Sequence, residues 1–289
     1  MSSFLFQVIL KVMKVRNSLL ILIFLISFSF FSCDTLFDIL GLAGSGDALF
    51  TNAEAVDAMK SALNIGAQNS SAALSEEDAY YKNSALKIPL PDEVDNAIKT
   101  LTNIPAVGYL LGDLSGELVE DVVLSINRSA EAAAKEIVPI FSTAITEMTV
   151  QDGITIVTGE RNAATVYLKD KTYSQLMNLY QPRMDKVLKQ DLIGDVSAND
   201  AWENLTSKYN SVIDTINNTY LLSAAVKASG YTLPEKINTE LSEYVTGKAL
   251  DGVFVKVGEE EGKIRDNPWG YASSIIEKVF GAVKNNFKS

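Results

Sequence analysis

The stretch Thr239–Glu260, TELSEYVTGKALDGVFVKVGEE, decides how this chain folds. On a wheel of about 100° per residue, Leu241, Tyr244, Val245, Ala249, Leu250, Val253, Phe254, Val255 and Val257 leave no wholly polar side. A helix that is apolar all round is buried all round. The stretch is therefore expected at the centre of a helical bundle, as part of a longer helix, Lys236–Lys263.

Working outward, the spacing predicts helices nearly everywhere. Thr51-x-x-Glu54 reads as a capping box opening a helix to about Ile65. Asn69–Ala73 reads as a loop, and Ser75 as the cap of a short helix, Glu76–Tyr81. The prolines of Lys87-Ile88-Pro89-Leu90-Pro91 impose an extended segment before a helix Asp92–Leu101. From Glu117, Val119, Val123, Ile126, Ala130, Ala133 and Ile137 recur at spacings of three and four, giving one apolar stripe that Pro139 interrupts before Phe141–Met148. A segment ending near Gly159, then Asn162–Leu168, Tyr173–Val187 with a kink at Pro182, Asn199–Asn217 and Trp269–Phe287 complete the series. Ile154–Val157 is the one strand-like run and has no partner nearby. The expectation is an all-α fold, one multi-helix bundle over residues 47–289.

Composition narrows the chemistry. Hydrophobic residues at 47% and charged ones at 21% of 289 residues are ordinary for a folded chain. With no histidine and one cysteine, imidazole acid–base chemistry, Ser-His and Cys-His pairs, disulfide frameworks and most zinc sites are excluded. The formal charge is −11, and residues 1–32 carry Lys11, Lys14 and Arg16 without an acid, so the remainder carries −14. No two Lys/Arg residues are adjacent in that remainder, which argues against nucleic acid as a partner.

The N-terminus carries the address. Leu19–Phe31, LLILIFLISFSFF, is thirteen apolar or small residues behind Lys14 and Arg16. A bilayer-spanning helix needs about 20, so the run reads as a secretory signal, residues 1–32, with Met13 an alternative start. Ser32-Cys33 closes it and resembles the cleavage site of a bacterial lipoprotein, in which the new N-terminal cysteine receives acyl chains. Phe31 departs from the usual small residues there. Residues 33–46, with Gly41, Gly44, Ser45 and Gly46, would form a flexible tether. Membrane attachment through a lipid on Cys33 is the expectation, with the outer membrane, periplasm-facing, favoured over the inner membrane or the cell surface.

Candidate internal sites are sparse. Ser84-x-x-Lys87 matches one motif of serine acyl enzymes but lacks the other two. Glu76-Glu77-Asp78 and Glu259-Glu260-Glu261 lack the alternating carboxylates and turn glycine of a calcium loop, so no metal is expected. Glu261 and Arg265 stand four apart and are placed to pair. Asn127, Arg128 and Glu131 form a polar group on the long helix. The face of Arg128 is read either as surface or as a helix interface, and a cleft with Glu260 or Glu261 opposite it would be the functional version.

Several phrases occur together: Ala85–Pro91 (ALKIPLP), Ile126–Ala133 (INRSAEAA), Phe141–Val150, and Tyr244–Gly252 running on to Glu260–Pro268. In this order they resemble domain-of-unknown-function family 4197 (DUF4197), bacterial envelope proteins that usually carry a signal sequence. The resemblance implies a helical, periplasm-facing domain and supplies no catalytic residues. The leading expectation is a lipid-anchored, non-catalytic binding or scaffolding module without a cofactor, its envelope partner or ligand unidentified. The alternatives are a carboxylate-dependent hydrolase of envelope polysaccharide and a carrier of an apolar ligand.

Lys248 and Asp251 complete the candidate set. With Leu241 at 0°, Lys248 falls at about 340°, inside the apolar surround. Asp251 lies one turn on, and Gly252 beside it would admit a neighbouring backbone. A buried ion pair is the expected outcome, and on it Asp251→Ala would cost about 3–5 kcal/mol by stranding the lysine.

Overall fold

Small apolar residues let two long helices approach closely, and the bundle is assembled around that contact. The computed structural model describes residues 49–286 except 106 and 111. The helices named below belong to one compact unit, Asn52–Ser289. The proposed signal, Cys33 and the tether lie outside the described residues, as does Phe287.

Helix α1, Asn52–Leu74, buries Ala55, Ala58, Met59, Ala62, Leu63, Gly66 and Ala67. A Cβ on Gly66 would sit 3.2 Å from Val257 Cγ1 on the facing long helix, so that side of the contact has room for glycine and little more. Next come α2, Asp92–Thr102, behind Pro91, then α3, Glu117–Ala133, and α4, Ile137–Glu147, joined to α3 by a 3₁₀ turn. The strand-like run becomes a short helix, α5, Gly153–Thr158, because Asp152 caps it by accepting from Thr155 N–H at 3.0 Å. The series continues with α6, Ala163–Val187, α7, Ala198–Asn218, α8, Tyr220–Ala228, α9, Leu241–Asp266, and α10, Ser274–Asn286. One two-residue turn between Asp191–Ile193 and Val196–Ser197, with Gly194 at φ 60°, makes a small antiparallel hairpin, the sole sheet among the described residues. The class is all-α, as the spacing predicts.

The centre differs from expectation. α1 is packed by α4, α5, α9 and α10, while α9 leaves one stripe open to solvent. Glu243, Lys248, Val255, Glu259 and Lys263 line that stripe, and Val255 is 47% exposed. The wheel looked closed because Val255 faces water and Tyr244 lies only half-buried at its edge. α9 also begins at Leu241 rather than Lys236, since Asn210 on α7 takes both backbone groups of Ile237 and holds the preceding residues extended.

Three further boundaries move for identifiable reasons. α1 runs on through Asn69–Ala73, because Ser71 donates to Ala134 O at 2.8 Å and Asn69 to Glu260 Oε2 at 2.8 Å. Glu76–Tyr81 forms consecutive turns instead of a helix, since Asp78 sits at φ 71°. α6 is continuous from Ala163, with Pro182 on its exposed side.

Gly252 admits a side chain, not a helix backbone. The ring of Tyr80 lies across it, and the Tyr80 hydroxyl donates to Ala249 O at 2.9 Å. A Cβ on Gly252 would stand 2.7 Å from Tyr80 Cε1. Gly252→Ala should therefore destabilise by about 1–3 kcal/mol through overpacking. A denaturant melt checks this, and a variant as stable as wild type would show that Tyr80 can swing away at no cost.

Candidate functional site

The polar group on α3 holds a loop. Asn127 is fully buried, and its side-chain amide pairs with the backbone of Ile88 as a neighbouring strand would. Its Oδ1 accepts from Ile88 N–H at 2.9 Å, and its Nδ2 donates to Ile88 O at 2.8 Å and to Val123 O at 2.7 Å. One turn on, Glu131 Oε1 accepts from the N–H groups of Tyr80 and Tyr81 at 3.0 and 3.2 Å. Arg128 lies between, donating to Glu131 Oε2 and Asp78 Oδ1 at 2.7 Å each and to Glu77 Oε1 at 3.2 Å. Burial works against its charge, yet the bonds to Glu131 and Asp78 outweigh that and hold its pKa above the usual value. The face of Arg128 is therefore an interface with the 75–91 loop, and its acids are Glu77, Asp78 and Glu131 rather than Glu260 or Glu261.

The second group works at a corner between helices. Glu261 Oε1 and Oε2 accept from Ala164 N–H and Thr165 N–H at 3.0 and 2.8 Å, and Thr165 Oγ1 also donates to Oε2 at 2.7 Å. These are orphan donors of the first turn of α6, where a carboxylate also meets the positive end of the helix dipole. Arg265 pairs with Glu261 at 2.7 Å and donates to Val157 O and Ile156 O, at 2.6 and 3.1 Å, at the end of α5. One turn of α9 thus caps the end of one helix and the start of the next. Glu260 faces elsewhere, bonded to Asn69 and Lys263. Burial alone would raise its pKa, but the bonds from Lys263 and Asn69 prevail and lower it.

Lys248 and Asp251 do not meet. Asp251 pairs with Lys169 at 2.8 Å, both side chains close to half exposed, and Lys248 is exposed with its Nζ 5.7 Å above the Tyr244 ring. The wheel places Lys248 inside an apolar surround, but that side of α9 faces solvent and the lysine emerges on the open stripe.

Open concavities lie along the extended segment 231–240, whose last five residues the spacing predicts as helix. Asn210 on α7 grips this segment as Asn127 grips the other: Oδ1 accepts from Ile237 N–H at 2.9 Å and Nδ2 donates to Ile237 O at 3.0 Å. The Tyr209 hydroxyl donates to Glu235 O at 3.0 Å. A groove of about 590 Å³ runs between this segment and α2, with Glu93, Asn96, Thr100 and Glu235 in its walls. A second, of about 410 Å³, opens between the segment and α7 beside Asp185, Trp202 and Glu203. A third, of about 470 Å³, lies over α9 with Glu243, Tyr244 and Lys248, the last a member of the expected set. Thr239 Oγ1 donates to Glu93 Oε1 at 3.1 Å, and Ser242 bonds to Asp185. Burial, helped by Asp92 and Glu93, pushes Tyr244 up to about 12, so it stays a donor, bonded to Pro89 O at 2.9 Å. These walls offer carboxylates, amides and hydroxyls to a ligand. Gly230 and Pro234 mark a break after α8 but stand before Lys236, so no local signal separates 236–240 from the helix that follows.

The family described as a protein of unknown function (DUF4197) matches residues 49–281. No curated protein and no solved structure is detectably similar to the chain.

Glu261→Ala should cost about 3–5 kcal/mol, because it strands Arg265 and two backbone donors in a buried corner. Asp251→Ala should cost under about 1 kcal/mol, the range of exposed pairs. Chemical denaturation of the two variants checks the contrast, and equal losses would mean the corner is not closed. The depressed pKa of Glu260 adds stability that is present above the unfolded value of about 4.3 and is lost as pH falls through the lower folded value. Wild type should consequently exceed Glu260→Gln in melting temperature at pH 6 and converge with it in strong acid. A gap that is constant with pH would rule this linkage out.

Proposed function

The chain belongs to the DUF4197 family, and we propose that it is a lipid-anchored bacterial cell-envelope protein whose helical domain is a non-catalytic binding or scaffolding module. One observation carries the second half of this reading. The buried and part-buried charged groups that sequence singled out, Glu131, Arg128, Glu261 and Arg265, direct their hydrogen bonds to backbone, to each other and to Glu77, Asp78 and Thr165. Groups so engaged hold the fold and are not free to exchange protons with a substrate. The grooves along 231–240 are open and polar-walled, suited to holding a partner segment or a hydroxylated ligand.

The anchor rests on the sequence: a charged start, a thirteen-residue apolar run too short to span a bilayer, and the chain's sole cysteine directly after it. No described helix is long and apolar enough to cross a membrane. Acyl chains contribute about 0.8 kcal/mol per buried CH₂, so lipid on Cys33 would hold the body without one. The outer membrane, with the domain facing the periplasm, is the favoured site.

Cells grown with a labelled fatty acid should incorporate the label into wild type and not into Cys33→Ser. An unlabelled wild-type protein sinks the anchor. For the binding role, a photo-crosslinking residue at Asn96 should yield a discrete adduct in cells, whereas the same residue at Lys186, outside the grooves, should not. Absence of any adduct from Asn96 and from equivalent positions in the other two grooves counts against a binding module there.

A further inference from the structure

α8 does not bury the apolar surface it carries. Of YLLSAAVKA, Val226 alone is buried, and the helix packs against α7. Tyr220 is 85% and Leu221 77% exposed, and Tyr231, just past the helix, is 43% exposed. Tyr220 and Leu221 are neighbours at the start of α8, and exposed apolar side chains grouped in this way mark a contact surface.

The charge around it is equally unusual. Asp214 and Glu235 bracket twenty residues whose single charged side chain is Lys227, in a chain that carries −14 beyond residue 32. The α7–α8 turn and α8 therefore form an acid-free, apolar, faintly cationic tip on an acidic body. An anionic surface repels the body and a zwitterionic one gains nothing from its charge, while either accepts the uncharged apolar side chains and single lysine of the tip.

We propose that this tip rests on a phospholipid bilayer, with Tyr220, Leu221 and Tyr231 at the boundary between headgroups and acyl chains and Lys227 among the phosphates. Tyrosine favours that boundary because its ring is apolar and its hydroxyl wet. The proposal rests on the lipid-anchor reading. The sixteen residue-to-residue steps from Cys33 to Leu49 span at most about 56 Å at full extension, so an anchored domain stays at the bilayer, and lipid is the surface at highest local concentration. The tip supplies the second of the two contacts that stable peripheral attachment requires, and it orients the body with its grooves held at a set height.

The body has no cysteine of its own, so a nitroxide can be placed at one position of the full, lipidated chain. We would label Leu221→Cys, with Lys186→Cys as the solvent-facing control, in phosphatidylcholine vesicles and measure collision with oxygen and with a water-soluble nickel chelate. The expected result is oxygen-dominated collision at 221 and nickel-dominated collision at 186. Nickel-dominated collision at both, in protein that stays with the vesicles, overturns the tip contact and leaves the anchor standing. Dipolar broadening at 221 assigns the tip to a second copy of the chain and overturns the lipid contact. Protein that carries no lipid and leaves the vesicles overturns the anchor and the contact together.

Discussion

Buried backbone donors must have acceptors, and in this bundle two carboxylates meet that demand at the places where helices alone cannot. Glu261 takes the first-turn N–H groups of α6, and Glu131 takes those of Tyr80 and Tyr81 in the turns after α1. An unpaired buried donor costs about 1–3 kcal/mol, and an unpaired buried charge more. Each carboxylate is accordingly matched by an arginine on its own helix: Arg265 to Glu261, Arg128 to Glu131. Arg265 reaches on to the carbonyls closing α5, so the corner between α5 and α6 and the surface of α9 form one connected network.

The extended segments are held by a parallel device. Asn127 and Asn210 each present a side-chain amide to a single isoleucine, Ile88 and Ile237, replacing the neighbouring strand that an all-helical protein does not provide. Tyrosine hydroxyls complete the hold, Tyr244 on Pro89 O and Tyr209 on Glu235 O. The grooves follow from this arrangement. A segment lying between helices cannot fill the space a helix would, so hollows remain on both sides of it, and their walls are polar because backbone lies close to their surface.

The functional reading joins three features that the bundle does not itself require. The proposed lipid on Cys33 gives the domain a surface, the acid-free tip on α8 gives it an orientation, and the grooves along 231–240 give it somewhere to hold a partner. The tip on α8 holds none of the carboxylate–arginine pairs that join the helices, so its alteration need not unfold the bundle.

Much of the fold was legible in the sequence. The α3 stripe, the start of α2 behind Pro91 and the pairing of Glu261 with Arg265 all follow from local spacing, and each acts within about one or two turns of its own residues. Family membership was legible for a related reason: Asn127, Arg128 and Glu131 fall within a phrase whose residues make contacts that the fold needs. Other features depended on residues far apart in the chain. Asn69–Ala73 is helical because Ala134 and Glu260 accept from it, and α9 has a solvent stripe because no described helix covers Lys248 and Val255. Arg128 could have faced water or a third layer with the same wheel, and only the path of the 75–91 loop placed Glu77 and Asp78 against it. Periodicity states which side of a helix is apolar; which neighbour covers that side, and where backbone donors find their acceptors, is decided when the elements pack.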